Sequence, residues 1–193
     1  MSFVHSVFVN TFKEYGNAWT FRALRRAFGI APDAVCLEIG CGKGDMARRL
    51  VDYLKPRRYV ATDYDPQQLE RARAKLARAY NGTFPESLEL KVADALALPF
   101  PDASFDAVFG FAVLHHVEDE WWLFQKIPKA LEEVRRVLRP GGRFVYEEYV
   151  NRKRIRDFLG HFGFRLNHRK IFFGIAEVAI ATKGPAPSVA LPG

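Results

Sequence analysis

Val35-Cys-Leu-Glu-Ile-Gly-Cys-Gly-Lys-Gly44 is the stretch that decides the fold. Its first five residues, apolar except for Glu38, have the pattern of a short parallel strand buried on both faces. They run straight into Gly40, Gly42 and Gly44, where the missing Cβ lets the backbone turn tightly and lie against a ligand. Asp45 to Leu54 is expected as a helix whose free amide groups face that loop. Strand, glycine loop and helix in this order place a nucleotide-like ligand at the carboxyl end of a sheet. A dinucleotide fingerprint would carry its third glycine at the position of Asp45. Here the extra glycine is Gly44, and Glu38 stands two residues before the first. A carboxylate beside the loop repels a pyrophosphate and suits a ligand with positive charge.

Downstream segments agree in order and spacing. Tyr59-Val-Ala-Thr62 reads as a second strand ending in Asp63, where this architecture binds a ribose diol. Tyr64-Asp65-Pro66 then opens a helix. Leu88 to Ala93 reads as a third strand ending in Asp94-Ala95. Phe105 to Gly110 is a fourth, running into Phe111-Ala-Val-Leu-His-His116. Leu138-Arg-Pro-Gly-Gly142 is expected to close a helix and open a fifth strand, Arg143 to Tyr149. Helices are predicted near 45–54, 66–80, 129–138 and 151–160. Phe164 to Phe173 and Ile175 to Thr182 read as two further strands joined by a turn at Gly174. Alternating strands and helices imply a mostly parallel sheet covered on both faces.

Taken together, these motifs resemble the class I S-adenosylmethionine-dependent methyltransferases, and within them the small type similar to quinone-biosynthesis C-methyltransferases. The resemblance rests on E-x-G-x-G-x-G from Glu38, the strand-end Asp63, the Asp94-Ala95 pair, the Ser104-Phe-Asp-Ala-Val108 strand and Leu138-Arg-Pro-Gly-Gly142. It covers roughly three-fifths of the chain, from Val35 to Val150. It implies an α/β fold: a Rossmann-like, doubly wound sheet of seven strands with a carboxyl-terminal antiparallel hairpin. It also implies S-adenosyl-L-methionine as methyl donor and S-adenosyl-L-homocysteine as product. By this resemblance Gly40, Cys41, Gly42 and Gly44 belong to the loop around the methionine and ribose, and Glu38 lies near the methionine amino group. Asp63 accepts from the ribose hydroxyls, Tyr64 lies against the adenine, Asp94 and the Ala95 amide meet the adenine edge, and Phe111 sits beside the methionine. Asp63 and Asp94 also fit the plainer role of turn caps, and Asp106 fits that role better than a ligand contact.

His115 and His116 are the candidate general bases at the rim of the expected site, because an imidazole takes a proton near neutral pH. The competing reading is that they pack or cap the start of a helix. Trp121, Trp122 and Phe124 either line an apolar acceptor pocket, touch a membrane surface, or fill a gap between helices. Phe12, Tyr15 and Trp19 belong to an aromatic helical segment, residues 1–34, that either folds over the cleft as a lid or packs at an edge.

Three parts are expected: residues 1–34, a methyltransferase domain at 35–183, and a Pro- and Gly-rich tail at 184–193 without fixed structure. Cys36 and Cys41 lack the spacing of a metal or disulfide site. No apolar run reaches the length of a membrane span, and no secretory signal is recognised. A reduced, cytoplasmic protein is the expectation. Net charge is +7, from 29 Lys and Arg against 22 Asp and Glu. Fourteen of those cations and six of the acids fall between Lys126 and Lys183, with Arg152-Lys-Arg-Ile-Arg156 the densest run. Such a patch attracts polyanions when it is not simply a solvated helix face. There is no Asp/Asn-Pro-Pro-Tyr/Phe after the fourth strand, and neither cysteine sits where a cytosine-C5 enzyme needs its nucleophile. A small-molecule acceptor is therefore favoured. RNA- or protein-directed methylation and a non-catalytic scaffold role stand as alternatives.

Overall fold

A computed structural model describes residues 29–118, 120, 123–148, 150–171 and 176–184. Most of the amino-terminal segment, Trp121, Trp122, residues 172–175 with the turn expected at Gly174, and residues from 185 onward lie outside the described residues. The elements run β1 (Val35–Ile39), α1 (Asp45–Leu54), β2 (Arg58–Asp63), α2 (Pro66–Ala79), β3 (Leu88–Val92) and β4 (Phe105–Phe111). After a 3-10 turn (Leu114–His116) come α3 (Ile127–Val137), β5 (Leu138–Glu148), α4 (Arg152–His161), β6 (Phe164–Ile171) and β7 (Ala176–Lys183). The seven strands form one sheet in the order β3-β2-β1-β4-β5-β7-β6. All neighbours pair in parallel except β7, which runs against both β5 and β6. This is the doubly wound sheet with a terminal antiparallel hairpin that the sequence implies.

Strand alternation divides the core into two layers. Leu37, Ile39, Val60, Val108, Phe144 and Tyr146 face α3 and α4, while Cys36, Tyr59, Ala61, Ala107, Phe109 and Val145 face α1 and α2. Each helix is held by an apolar stripe; in α1 it is Met46, Ala47, Leu50, Val51 and Leu54. Asp65 caps α2 by accepting from the Gln67 amide at 2.8 Å, and Pro66 sits where its missing N–H costs nothing.

Most boundaries fall within one residue of the sequence reading, and two element starts differ by more. α3 begins at Ile127, two residues early, because Pro128 is tolerated in a first turn and Glu118 caps it from eight residues upstream. The Glu118 carboxylate accepts from the Lys126 amide at 2.9 Å and the Ile127 amide at 2.8 Å. β5 begins at Leu138 rather than Arg143: Leu138 already pairs with Phe105, and Arg143 pairs with Ala107. Two residues of β4 thus oppose five of β5, and Arg139–Gly142 bulge out of the ladder. Arg139 spans that bulge to Asp106 at 2.5 Å, while Asp106 also accepts from the Val35 amide at 2.7 Å. Asp106 is a structural clasp at the amino edge of the sheet. Phe124 is half-buried against the core, with its ring 5.9 Å from Phe158, which is the gap-filling role. Arg71, Arg73, Lys75 and Arg78 lie on the exposed face of α2, and Lys75 reaches Asp45.

Both cysteines are buried. Burial, and secondarily Asp106, pushes the Cys36 thiol up to about 12; burial, then Glu38 and Asp63, raises Cys41 further. Neither thiol is expected to react with a disulfide reagent at pH 8 until the protein is unfolded. Colorimetric titration with and without denaturant checks this, and rapid labelling of the native protein would contradict it.

Candidate active site

The sheet reverses its winding between β1 and β4, and the glycine loop leaves β1 at that switch point. There the chain opens into two adjoining cavities of about 400 Å³ each. Gly40, Asp63, Val113 and His116 line both and form the wall between them. The first cavity is completed by Glu38, Cys41, Gly42, Asp45, Phe111 and Glu147 among others. The second is completed by Tyr64, Asp94, Ala95, Leu96, Glu118 and Lys126 among others. The combined space suits a ligand of nucleoside size.

Each candidate residue has a definable place. Gly40 turns at φ 65°, and a Cβ there would lie 2.1 Å from the Val113 side chain. Gly42, at φ 52°, has nothing within 4 Å of its Cβ position, so its bare backbone faces the open cavity. Gly44 packs on α2, with Leu76 at 3.1 Å and Ala72 at 3.3 Å from its Cβ position. The Cys41 amide donates to the Thr62 carbonyl at 2.8 Å, tying the loop to the end of β2. Asp63 finishes that tie: one carboxylate oxygen accepts from the Gly42 amide at 2.8 Å, the other from the Asp65 amide at 3.0 Å. Each oxygen retains acceptor capacity beyond those bonds.

Glu38 is 1% exposed yet lines the first cavity. It accepts from the Tyr59 hydroxyl at 2.9 Å. Burial, and then the Glu38 charge, holds the Tyr59 hydroxyl well above its ordinary value, which keeps it a donor. Tyr64 is 74% exposed at the lip of the second cavity, an unusual position for a large aromatic side chain. Asp94 accepts from the Leu96 amide at 2.8 Å, so it makes the turn that presents Ala95 to the same cavity. Phe111 ends β4 in the first cavity, its ring stacked on Phe109 at 6.1 Å.

The two histidines separate. His116 is exposed and lines both cavities; His115 is buried and lines neither. His115 Nδ1 lies 2.8 Å from Glu148 Oε1, and the rings of the two histidines lie 4.0 Å apart at 40°. Glu147 and Glu148, absent from the sequence-derived site, stand at the tip of β5, one in the first cavity and one behind it. Their signal was a pair of acids closing an apolar strand at the same edge as Glu38, Asp63 and Phe111. Trp121, Trp122, Phe12, Tyr15 and Trp19 lie outside the described residues. No helix among the described residues is long and apolar enough to cross a membrane.

A mostly parallel sheet of this strand order, with its antiparallel terminal hairpin and its cavities at the glycine loop, defines a Rossmann-like protein of the methyltransferase type. Residues 37–146 match the methyltransferase domain family, and the chain belongs to that family. It is similar to a demethylmenaquinone methyltransferase of Thermus thermophilus, 40% identical over 68% of this chain and 54% of that protein. It is similar too to the 27-O-demethylrifamycin SV methyltransferase of Amycolatopsis mediterranei, 35% identical over 59% of this chain and 38% of that protein. The chain thus spans about half or less of the length of these relatives. Among solved structures it resembles a SAM-dependent methyltransferase from Aquifex aeolicus, with a TM-score of 0.72 and 16% identity over 90% of this chain and 92% of that one.

Proposed function

We propose that the protein transfers a methyl group from S-adenosyl-L-methionine to a small-molecule acceptor. The observation that carries this reading is the Gly42–Asp63 clasp: a loop amide bound to a strand-end carboxylate beside a glycine whose Cβ would project into empty space. That clasp leaves a bare backbone floor and a carboxylate with spare acceptor capacity, which fits a ribose diol. Glu38 fits the methionine ammonium, and Phe111 the carbon chain beside it. Tyr64, Asp94 and the Ala95 amide fit the adenine in the second cavity. Gly40, Cys41 and Gly44 hold the loop in shape. When bound, the cofactor supplies a sulfonium methyl that is already reactive, so the protein's task is to orient an acceptor in line and exclude water. Cavities of this size, and relatives whose names specify small acceptors, support the small-molecule class. S-adenosyl-L-homocysteine is the expected product, and a cytoplasmic setting is proposed with it.

The test is calorimetric titration with S-adenosylmethionine and S-adenosylhomocysteine. Asp63→Ala should weaken both by about 1–3 kcal/mol, the cost of losing a charged hydrogen-bond acceptor. Equal affinity in wild type and variant would refute the ribose assignment, and no binding to folded wild type would refute the function.

A further inference from the structure

Resting on that methyltransferase reading, we propose that Glu148 and His115 are a buried positioning pair that sets His116 as acceptor-side base, so the acceptor is an O–H or C–H acid. Glu148 is fully buried at the end of β5. A carboxylate there has to be bonded at both oxygens. Oε1 lies 2.8 Å from His115 Nδ1, and Oε2 accepts from the His115 backbone amide at 3.3 Å. One carboxylate therefore fixes both the ring and the main chain of the same residue, across 33 positions of sequence.

The parallel register makes this contact. Phe111 pairs with Glu147, and the Ala112 amide donates to the Glu147 carbonyl at 2.9 Å. Ala112 bends the chain with φ 51°, a left-handed conformation that strains a non-glycine residue. Beyond the bend, a single 3-10 turn points three successive side chains in three directions, since its period is three. Leu114 enters the core, His115 meets Glu148, and His116 reaches the cavity wall. The His115 ring then backs the His116 ring at 4.0 Å. Glu147 lines the first cavity with His116, while Glu118 and Lys126 line the second.

A thioether leaving group needs no proton, so a fixed imidazole at this wall has one use in the transfer: to take a proton from the acceptor. The acceptor's O–H or C–H bond breaks and its proton passes to a His116 ring nitrogen. The electron pair left behind forms the bond to the methyl carbon, and the former C–S pair stays on sulfur. His116, being exposed, returns its proton to water. An amine acceptor, already nucleophilic when neutral, gains less from this arrangement.

The experiment compares wild type, His116→Ala and Glu148→Gln on two acceptors with radiolabelled S-adenosylmethionine. One is 1-naphthol, un-ionised at pH 7.5; the other is 2,4-dinitro-1-naphthol, already ionised there. Both variants should lower kcat for 1-naphthol about 10²-fold, the usual worth of a general base. KM and the affinity for S-adenosylhomocysteine should stay within about twofold. The rate ratio should move toward the ionised acceptor, because a substrate without the proton bypasses the base. Equal slowing on both acceptors, or no slowing, overturns the proposal, as does failure of wild type to methylate either while binding S-adenosylhomocysteine. Failure to bind S-adenosylhomocysteine at all strikes the methyltransferase reading itself. His116→Ala, at an exposed position, keeps the test decisive should Glu148→Gln not fold.

Discussion

Gly40→Ala is expected to unfold at a urea concentration well below wild type, with a loss of about 2–5 kcal/mol. Two costs combine. An L-residue at φ 65° pays about 1–2 kcal/mol in backbone strain, and forcing a methyl into a packed site costs about 1–3 kcal/mol. The obstruction is the Val113 side chain, with Cγ2 at 2.1 Å and Cβ at 2.8 Å from the new methyl position. Val113 is buried in the core, and a β-branched residue is stiff at χ1, which limits how far it can turn aside. Because Val113 lines both cavities and precedes the histidine turn, its displacement should also abolish measurable S-adenosylhomocysteine binding. Gly42→Ala separates the effects. It has comparable backbone strain and no clash, so it should cost only about 1–2 kcal/mol of stability while its methyl stands in the cavity and blocks the ligand. Adding Val113→Ala to Gly40→Ala should restore part of the stability. A Gly40→Ala protein as stable as wild type would show that the loop relaxes freely.

How much of this was legible in the sequence follows from the range of the interactions involved. β1, the glycine loop and α1 are encoded locally, by an apolar run, three glycines and a helical stripe, and they fall where their residues predict. Asp63 and Phe111 were also readable, because strand tips in a parallel sheet share one edge. The start of β5 was not. Leu138-Arg-Pro-Gly-Gly142 has the composition of a turn, and only the pairing of Leu138 with Phe105 makes its first residue a strand. The cap of α3 was hidden for the same reason, since Glu118 acts across a loop. His115 and His116 looked equivalent in sequence. Their difference comes from the 120° step of a 3-10 turn and from Glu148, brought beside it by the β4–β5 register. Glu38 combines both kinds of information: its place beside the loop is local, while its Tyr59 partner is set by the β1–β2 pairing.

The other large effect is expected at a residue far from any cofactor assignment. Arg136→Met should cost about 2–4 kcal/mol, less than breaking a fully buried charged pair, because Glu133 is buried but the Arg136 side chain is 31% exposed. The Arg136 guanidinium donates to both carboxylate oxygens of Glu133, to Asp102 and to the Leu98 and Phe100 carbonyls, every one at 2.8 Å. Glu133 in turn accepts from the Leu98 amide at 2.7 Å. Together they clamp the β3–β4 connection, whose Leu98 and Phe100 enter the core, onto α3. Asp94 and Ala95 lie in the same connection, so the variant should also bind S-adenosylhomocysteine more weakly. Acid provides the check on mechanism. Hydrogen bonds from Arg136 hold the Glu133 carboxyl below its ordinary range, against the opposing effect of burial. A carboxyl depressed by folding contributes stability above its unfolded value of about 4.3, and that contribution is lost as pH falls through the lower folded value. The gap in urea midpoint between wild type and Arg136→Met should therefore be widest near neutrality and narrow toward pH 3. A gap that stays constant over that range would mean that Arg136 acts through its carbonyl bonds and packing alone. A Glu133→Gln, Arg136→Met double-mutant cycle at pH 7 then measures the coupling between them directly.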